Sequence, residues 1–395
     1  MRRAEATHPM VVVGGGIAGL ATALGLARIG ADALILEQSP AFSEIGAGLQ
    51  VGPNAARALR WLGALDAIEP YLFAPPAIRI FDGPTGRELM VIRLGARFAQ
   101  RFGEPYQVVH RADLLMGLLS ATGSEPSIRV ETSAQVAEIG VEHGSLAVAT
   151  DDGRKLSTSG VIGADGIRST VRRSLPRSQE PRYRGYAIYR ALIPVAGMPE
   201  ELLDDCVCLW LCPGGHVVHY PVRSGRAMNI VAVTASAWNS ERWSEPALRD
   251  ELEPLFARSC DALRALTQHP LIWTKWAGAD LEPSPVWSRG RLTLIGDAAH
   301  ATLPFLAQGA AMSLEDAVVL ARTLRRNGIS DGFELYVRLR YERTRRLTLA
   351  SRKAGWQYHL DGLPRKARNG ILSATSPDRF LNRLSWIYSY DPLAD

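Results

Sequence analysis

The sequence predicts an α/β fold: a doubly wound parallel-sheet domain, interrupted by an antiparallel sheet and followed by a helical C-terminal segment. Three observations predict it. Continuously apolar runs that end in glycine or an acidic residue recur at 10–13, 33–37, 161–165 and 292–295, the mark of strands buried on both faces. A small-residue helical pattern follows the first run and leads to the second, giving a βαβ start. Between about 183 and 233 the pattern changes to strand, turn, strand.

Taken in order, 10–13 is a buried strand and 17–29 a helix stopped by Gly30. The second strand is 33–37. Pro53-Asn54 opens a helix over 54–62, and 79–82 and 89–93 form a hairpin around Gly83-Pro84 and Gly86. Residues 111–119 return to helical spacing; 129–130, 134–141 and 146–150 alternate as strands. The run 161–165 leads through a turn to a helix start. The antiparallel sheet takes 187–194, 206–212, 216–222 and 228–234, and 247–266 reads as a helix. After 292–295 the chain is mostly helical, including an arginine-rich stretch over 333–360.

Composition narrows the classes. The 395 residues correspond to two or three domains at about 150 residues each. A hydrophobic fraction of 47% with 22% charged residues excludes disordered, collagen-like and coiled-coil chains. The net charge of +5 does not argue for nucleic acid, which would need a clustered basic face, and at most favours anionic small molecules. Four cysteines cannot frame so long a chain with disulfides, so a reducing cytoplasm is expected. Arg2-Arg3 before an apolar stretch imitates a secretion signal, but that stretch carries six glycines and no cleavage site follows. It reads as folded structure behind a loose leader over 1–9. No segment has the roughly 18 uninterrupted apolar residues of a membrane span.

Gly14-x-Gly16-x-x-Gly19 directly follows a strand and opens a helix. Gly14 permits the tight turn, Gly16 admits a pyrophosphate to the backbone, and Gly19 lets the helix pack on the strand. The helix N-terminus then faces phosphate with free N–H groups and a positive dipole end. Glu37 ends the second strand, 18 positions past Gly19, where a carboxylate accepts both ribose hydroxyls and repels a 2′-phosphate. This is an adenine-dinucleotide fingerprint, with FAD and NAD both open at this point. Two later motifs add to it. Gly163-Ala164-Asp165-Gly166-Ile167-Arg168-Ser169 sits where a strand gives way to a helix; its plainer reading is an Asp-Gly turn with Ser169 as N-cap. Gly296-Asp297-Ala298-Ala299-His300, followed by Pro304 and Gln308-Gly309-Ala310-Ala311, sits after a buried strand.

With these three motifs in this order, the chain resembles the single-component FAD-dependent aromatic hydroxylases of the para-hydroxybenzoate hydroxylase fold. The resemblance runs from about Met10 to at least Arg322. Glu44-Ile45-Gly46-Ala47-Gly48-Leu49-Gln50, Gly52-Pro53-Asn54, His110-Arg111-Ala112-Asp113-Leu114 and Glu315-Asp316-Ala317 look like the salicylate, meta-hydroxybenzoate and hydroxynicotinate hydroxylase branch. The resemblance implies a Rossmann-like FAD-binding domain over 10–72, 106–176 and 281–332. An interleaved antiparallel-sheet substrate domain takes 73–105 and 177–280, and a helical C-terminal segment 333–395. It implies that Glu37 holds the adenosine ribose, Arg111 contacts the flavin side, Asp165 lies near the pyrophosphate and Asp297 holds the ribityl chain. Gly48, Gly309 and Ala310 join the cofactor-binding set, the helix after Gln308 presenting backbone N–H groups to the charge of reduced flavin. The implied reaction uses NAD(P)H and O2 to hydroxylate a small aromatic or pyridine carboxylic acid through a flavin C4a-hydroperoxide, in a monomer or homodimer.

Absences sharpen the reading. No second GxGxxG follows a strand, so no separate NAD(P)H domain is expected. Cys206-x-Cys208-x-x-x-Cys212 is not a CxxC, and neither a redox pair nor a metal site is expected. Trp273 and Trp276 lack the spacing of the halogenase tryptophan motif.

The substrate face is read from His216-Val217-Val218-His219-Tyr220. Residues two apart on a strand share a face, so His216 and Tyr220 point one way and His219 the other. With Pro213-Gly214-Gly215 as the turn, Cys212 opposes His216 and Cys208 falls opposite Tyr220, at the pocket edge. A His or Tyr can take the proton of a hydroxyaryl substrate, and the related branch has a His and a Tyr at this spacing. His216 also reads as a structural histidine, and for His219 and Cys208 packing is the favoured role. Gln50, Arg190, Pro304 and Phe305 complete the expected pocket, with Arg190 facing a substrate carboxylate or forming a structural ion pair. Some meta-hydroxybenzoate enzymes have Gln where this chain has Pro304, and hydroxynicotinate enzymes have His where it has Gln50. The arginines over 338–352 read as a solvated helix face, with docking of NAD(P)H phosphates or of an acidic partner the subsidiary reading. Trp386 to Tyr390 read as core or dimer packing. Two other functions stay open: a flavin oxidase or dehydrogenase acting on a non-aromatic substrate, and a non-catalytic FAD-binding regulatory protein.

Overall fold

Met10–Val13 is buried along its whole length, as four consecutive apolar side chains require, and lies inside a six-stranded sheet. In this computed structural model, residues 8–42, 47–142, 145–238, 240 and 242–394 are described, with backbone only at 142 and 145. Residues 1–7 of the expected leader and the Glu44-Ile45-Gly46 part of one motif lie outside the described residues. Met10–Val13 pairs in parallel with Ala33–Leu36 on one side and Val161–Gly163 on the other. Ile128–Glu131 and Leu292–Leu294 extend the sheet outward in parallel, and the short Ser288–Arg289 closes one edge antiparallel. Helix Ile17–Arg28 covers the sheet and meets helix Gly309–Asn327 closely; a Cβ on Gly25 would stand 2.9 Å from the Ala317 carbonyl oxygen.

The second sheet has eight strands: Ser244–Leu248, Ile272–Asp280, Arg182–Pro194, Ala227–Ala235, Gly215–Val222, Val207–Cys212, Ala77–Asp82 and Glu88–Arg93, in that spatial order. Its pairs are antiparallel except Val207–Cys212 with Ala77–Asp82, which is parallel. One face packs on Leu263, Leu266 and Phe256; Cys208, Trp210 and Cys212 belong to that buried layer. The other face looks toward the parallel-sheet domain.

The helix expected over 247–266 is corrected. Ser244–Leu248 is an edge strand on Ile272–Asp280, and the helix proper is Asp261–Gln268. Sheet pairing wins the first part, and a short helical turn, Glu253–Phe256, with Pro254 in its first turn, lies between them. The arginine-rich stretch is a 30-residue helix, Ile329–Tyr358, but it is not a solvated face throughout: Arg340 is fully buried. Two further helices, Gly362–Ala374 and Pro377–Tyr388, finish the chain. Tyr388 enters an aromatic cluster with Phe98, Phe102 and Tyr106, so it is core packing, while Trp386 and Tyr390 lie under the guanidinium groups of Arg346 and Arg343. None of the described helices is long and apolar enough to cross a membrane.

Candidate active site

A cavity of about 580 Å³ lies between the carboxyl ends of the parallel strands and the inner face of the second sheet. Gly14, Glu37, Asp165 and Asp297 follow four parallel strands and line it, as open α/β sheets place their ligands.

The three fingerprint glycines divide their work by geometry. Gly14 has φ +102° and a Cβ there would sit 2.6 Å from the Ala164 carbonyl oxygen. A Cβ on Gly19 would sit 1.9 Å from the Gly14 carbonyl oxygen. A Cβ on Gly16 would meet nothing within 4 Å beyond its chain neighbours, so that side is open to a ligand at the start of helix Ile17–Arg28. Glu37 accepts from the Gly15 N–H at 2.7 Å and the Ser39 N–H at 2.8 Å, which fixes its carboxylate at the cavity wall.

Asp165 lines the cavity, but its side chain turns to its own loop. It accepts from the Ser169 hydroxyl and from the Thr170 and Val171 N–H groups at 2.6 and 3.1 Å. Burial pushes its pKa up, against these hydrogen bonds. Ser169 caps the following helix by accepting from the Arg172 N–H at 2.8 Å, so the plainer reading of this motif holds alongside its place at the cavity. On the opposite side Gly309 and Ala310 begin the 19-residue helix Gly309–Asn327 and line the cavity. Before them Ala307 holds φ +52°, unusual for a residue with a Cβ. Arg111 and Pro304 also line the cavity.

Behind that helix lies a buried ionic cluster. Arg340 donates to Asp316 at 2.6 Å and Glu315 at 2.7 Å, and Arg343 to Glu315 at 2.6 Å. His300 Nε2 lies 2.5 Å from the other Asp316 oxygen, which also accepts from the Gly296 N–H at 3.1 Å. Asn54 donates to Glu315 at 2.6 Å and to Gln308 at 3.0 Å. Burial alone would raise both carboxyls, but Arg343 and Arg340 hold Glu315, and His300 and Arg340 hold Asp316, below the ordinary range. The cluster ties the Gly296-Asp297 turn, the Gln308-Gly309 helix start and the Pro53-Asn54 helix to one point. The Glu-Asp pair was visible in the sequence. Its arginine partners were missed, because charge counting alone places arginines outside.

The second sheet supplies the other wall. His216, Val218 and Tyr220 line the cavity with Val231 and Val233 from the neighbouring strand and Arg190 from the next. Val231 pairs with both Val218 and Arg190, so the three strands present one continuous face. Burial pulls the His216 imidazole well below its ordinary value, with His359 adding to it. Burial pushes the Tyr220 phenol up, opposed by Arg190. A Cβ on Gly48 would stand 2.5 Å from the Tyr220 ring, so this glycine lets the phenol approach the Gly48–Val51 strand. Gln50, on that strand, lines the cavity and accepts from the Tyr106 hydroxyl.

Two expected pocket residues are corrected. The hairpin turn is Pro213-Gly214, with Gly214 at φ +72° and Gly215 already paired to Cys212. One residue fewer in the turn shifts the register by one and flips the face. Cys208 therefore pairs with His219 and lies in the outer layer, away from His216 and Tyr220. His219 stacks there on Trp210, and burial holds it at about 4. Phe305 does not line the cavity. It is buried behind the wall, its ring edge-on to His216 with centroids 5.2 Å apart, in space that Gly355 leaves by having no Cβ. His359, whose Nε2 lies 2.8 Å from His216 Nδ1, carried no sequence signal.

A family profile described as FAD binding domain matches residues 7–347. A 3-hydroxybenzoate 6-hydroxylase of Polaromonas naphthalenivorans (strain CJ2) is 38% identical over 386 residues, covering 97% of this chain and 96% of that one. The chain belongs to the FAD-dependent aromatic hydroxylases. Within this family, a 6-hydroxynicotinate 3-monooxygenase of Bordetella bronchiseptica is 31% identical, covering 88% of this chain and 91% of the relative. Among solved structures, a salicylate hydroxylase substrate complex superposes with a TM-score of 0.82 at 28% identity, covering 98% and 96% of the two chains. Klebsiella pneumoniae HpxO complexed with FAD and uric acid gives 0.87 at 26%, covering 98% of each.

FAD is the family's cofactor, and the residues here fit it. The open Gly16 surface at a helix N-terminus suits the pyrophosphate. The fixed Glu37 carboxylate suits a ribose, and the Gly309 helix start, with nothing within 4 Å of a Cβ at Gly309, suits the flavin edge.

Proposed function

We propose that this hydroxylase acts on a small hydroxyaryl or pyridinol carboxylic acid, with NAD(P)H as transient reductant and O2 as co-substrate. The observation that carries the reading is the convergence of His216, Tyr220 and Arg190 on one wall of the dinucleotide cavity. An imidazole and a phenol beside a guanidinium match an acid that also bears a ring hydroxyl. The relatives' names agree in class, since 3-hydroxybenzoate, 3-amino-4-hydroxybenzoate and 6-hydroxynicotinate are all such acids.

Bound FAD would supply reduction by NAD(P)H and activation of O2. The chain's own residues do the rest. Glu37, Gly16 and the Gly309 helix start would hold the cofactor, with Arg111 and Asp297 at its sides. Arg190 would orient the substrate carboxylate. His216, low in basicity and therefore neutral at pH 7, would accept the ring hydroxyl's proton, leaving a more electron-rich ring. Val218, Val231 and Val233 form an apolar surface that keeps water from the reacting carbon.

The test is NAD(P)H loss and oxygen uptake by the FAD-loaded protein against a panel of hydroxybenzoates and hydroxypyridine acids, with products identified by mass. The reading expects one or more acids to stimulate both and gain one oxygen atom. Oxidation of a substrate without NAD(P)H use would instead mark an oxidase or dehydrogenase. No stimulation by any aromatic acid would reject the proposal.

A further inference from the structure

We propose that His359 carries protons away from His216, so that the two imidazoles form a relay from the cavity to the end of the long C-terminal helix. The inference rests on the hydroxylase reading and adds a second residue to it. Nδ1 of His216 and Nε2 of His359 are 2.8 Å apart, and the rings lie 25° from parallel with centroids 5.1 Å apart. Nδ1 of His216 being so engaged, Nε2 is the nitrogen left for a ligand in the cavity that His216 lines. His359 follows the last residue of helix Ile329–Tyr358, and its carbonyl accepts from the Gly214 N–H at 3.0 Å. The relay is thus anchored to the very turn that sets the register of His216. At the far end, Nδ1 of His359 is buried with no hydrogen-bond partner among the described residues, although the residue as a whole is partly exposed.

The surroundings explain why one histidine is not enough. Phe305, Tyr186 and Tyr358 present ring edges to the pair. Burial in this aromatic cage disfavours a standing imidazolium at His216. His359 is held at about 4 by burial and then by Arg368, whose guanidinium donates to the Gln357 and Tyr358 carbonyls at 3.1 and 2.7 Å. A phenol, ordinarily near pKa 10, would not leave its proton on so weak a base. A relay removes that obstacle because neither ring has to become a cation.

The step balances without any change in oxidation state. The substrate O–H bond breaks as an N–H bond forms at Nε2 of His216. The Nδ1–H bond of His216 breaks as one forms at Nε2 of His359. The Nδ1–H bond of His359 breaks as an O–H bond forms on a solvent water that must enter at the partly exposed helix end, since the described residues offer Nδ1 no acceptor. Three bonds to hydrogen break and three form, and both imidazoles end neutral in the opposite tautomer. His359 does not touch the substrate, so its role is to position and discharge His216.

Glutamine at 359 can still hydrogen-bond His216 but cannot exchange one proton for another. The experiment compares the FAD-loaded wild type with His359→Gln and His216→Gln. It follows phenolate absorbance of a bound hydroxybenzoate in the oxidised enzyme, and separately product formed per NAD(P)H. His359→Gln is expected to bind the ligand within about threefold of wild type while phenolate forms at least tenfold more slowly. Added free imidazole should recover part of that loss. A wild-type rate in His359→Gln overturns the relay while leaving His216 in its role. A wild-type rate in His216→Gln overturns the reading on which the relay depends. Loss of FAD and ligand binding together in His359→Gln makes the residue structural and also overturns it.

Discussion

Arg340 Nε donates to Asp316 Oδ1 at 2.6 Å, with both side chains sealed from solvent. Such a pair is worth little compared with well-packed apolar groups, yet breaking it leaves a buried charge without compensation. Arg340→Leu is therefore expected to cost about 3–5 kcal/mol in chemical denaturation. Asp316→Asn in the same chain should return part of that loss by removing the stranded charge. Because Asp316 also receives the Gly296 N–H, FAD content should fall in the single variant at temperatures where the fold survives.

Gly16 and Gly19 separate folding from cofactor binding. Gly19→Ala drives a Cβ to 1.9 Å from a backbone oxygen and should yield little folded protein. Gly16→Ala meets no protein atom within 4 Å. The apo Tm of that variant should match wild type within a few degrees, while FAD affinity drops at least tenfold. Equal FAD affinity in Gly16→Ala would remove the pyrophosphate from this position.

Acid should weaken the fold in two separable windows. Burial lowers His219 and His359 to about 4, from the ordinary 6.5. Between those values the unfolded chain binds more protons than the folded one, so this stability is complete above pH 6.5 and falls as pH drops toward 4. For His219 the loss between pH 6.5 and 5 is about 2 kcal/mol. His219→Gln should flatten the Tm-against-pH curve there, whatever it costs at pH 8. Glu315 and Asp316 have lowered folded values, so their contribution disappears only below the usual carboxylate range near pH 4.

Cys208 lies on the outer face of its strand, opposite in orientation to the His216 wall. Cys208→Ala should leave kcat and KM unchanged and cost about 1 kcal/mol of stability for the lost packing. Loss of ligand affinity in that variant would contradict the register.

The same strand shows where sequence reading succeeds and where it stops. The apolar runs at 10–13, 33–37, 161–165 and 292–295 were legible because strands buried on both faces tolerate little else. His216 and Tyr220 were legible as a pair because a strand's period of two is rigid. Whether Cys208 faced them was not, because register depends on whether Gly215 belongs to the turn or to the ladder. His359 stands 143 residues after His216 and Arg340 stands 24 residues after Asp316 on the next helix, and only packing brings each to its partner. The edge strand Ser244–Leu248 likewise owes its form to Ile272–Asp280 rather than to its own residues.

The order of strands in the parallel sheet also sets a timetable for synthesis. Met10–Val13 needs Val161–Gly163 as one neighbour, and Val161–Gly163 needs Leu292–Leu294 as its own. Pairings this distant carry a large loop-closure cost and form late. A nascent chain therefore cannot complete the sheet until residue 294 has left the ribosome, by which time the whole eight-stranded sheet has already emerged. Conditions that stall translation beyond residue 280 should thus release chains with a finished second sheet and an open first one, prone to aggregate through its unpaired edge.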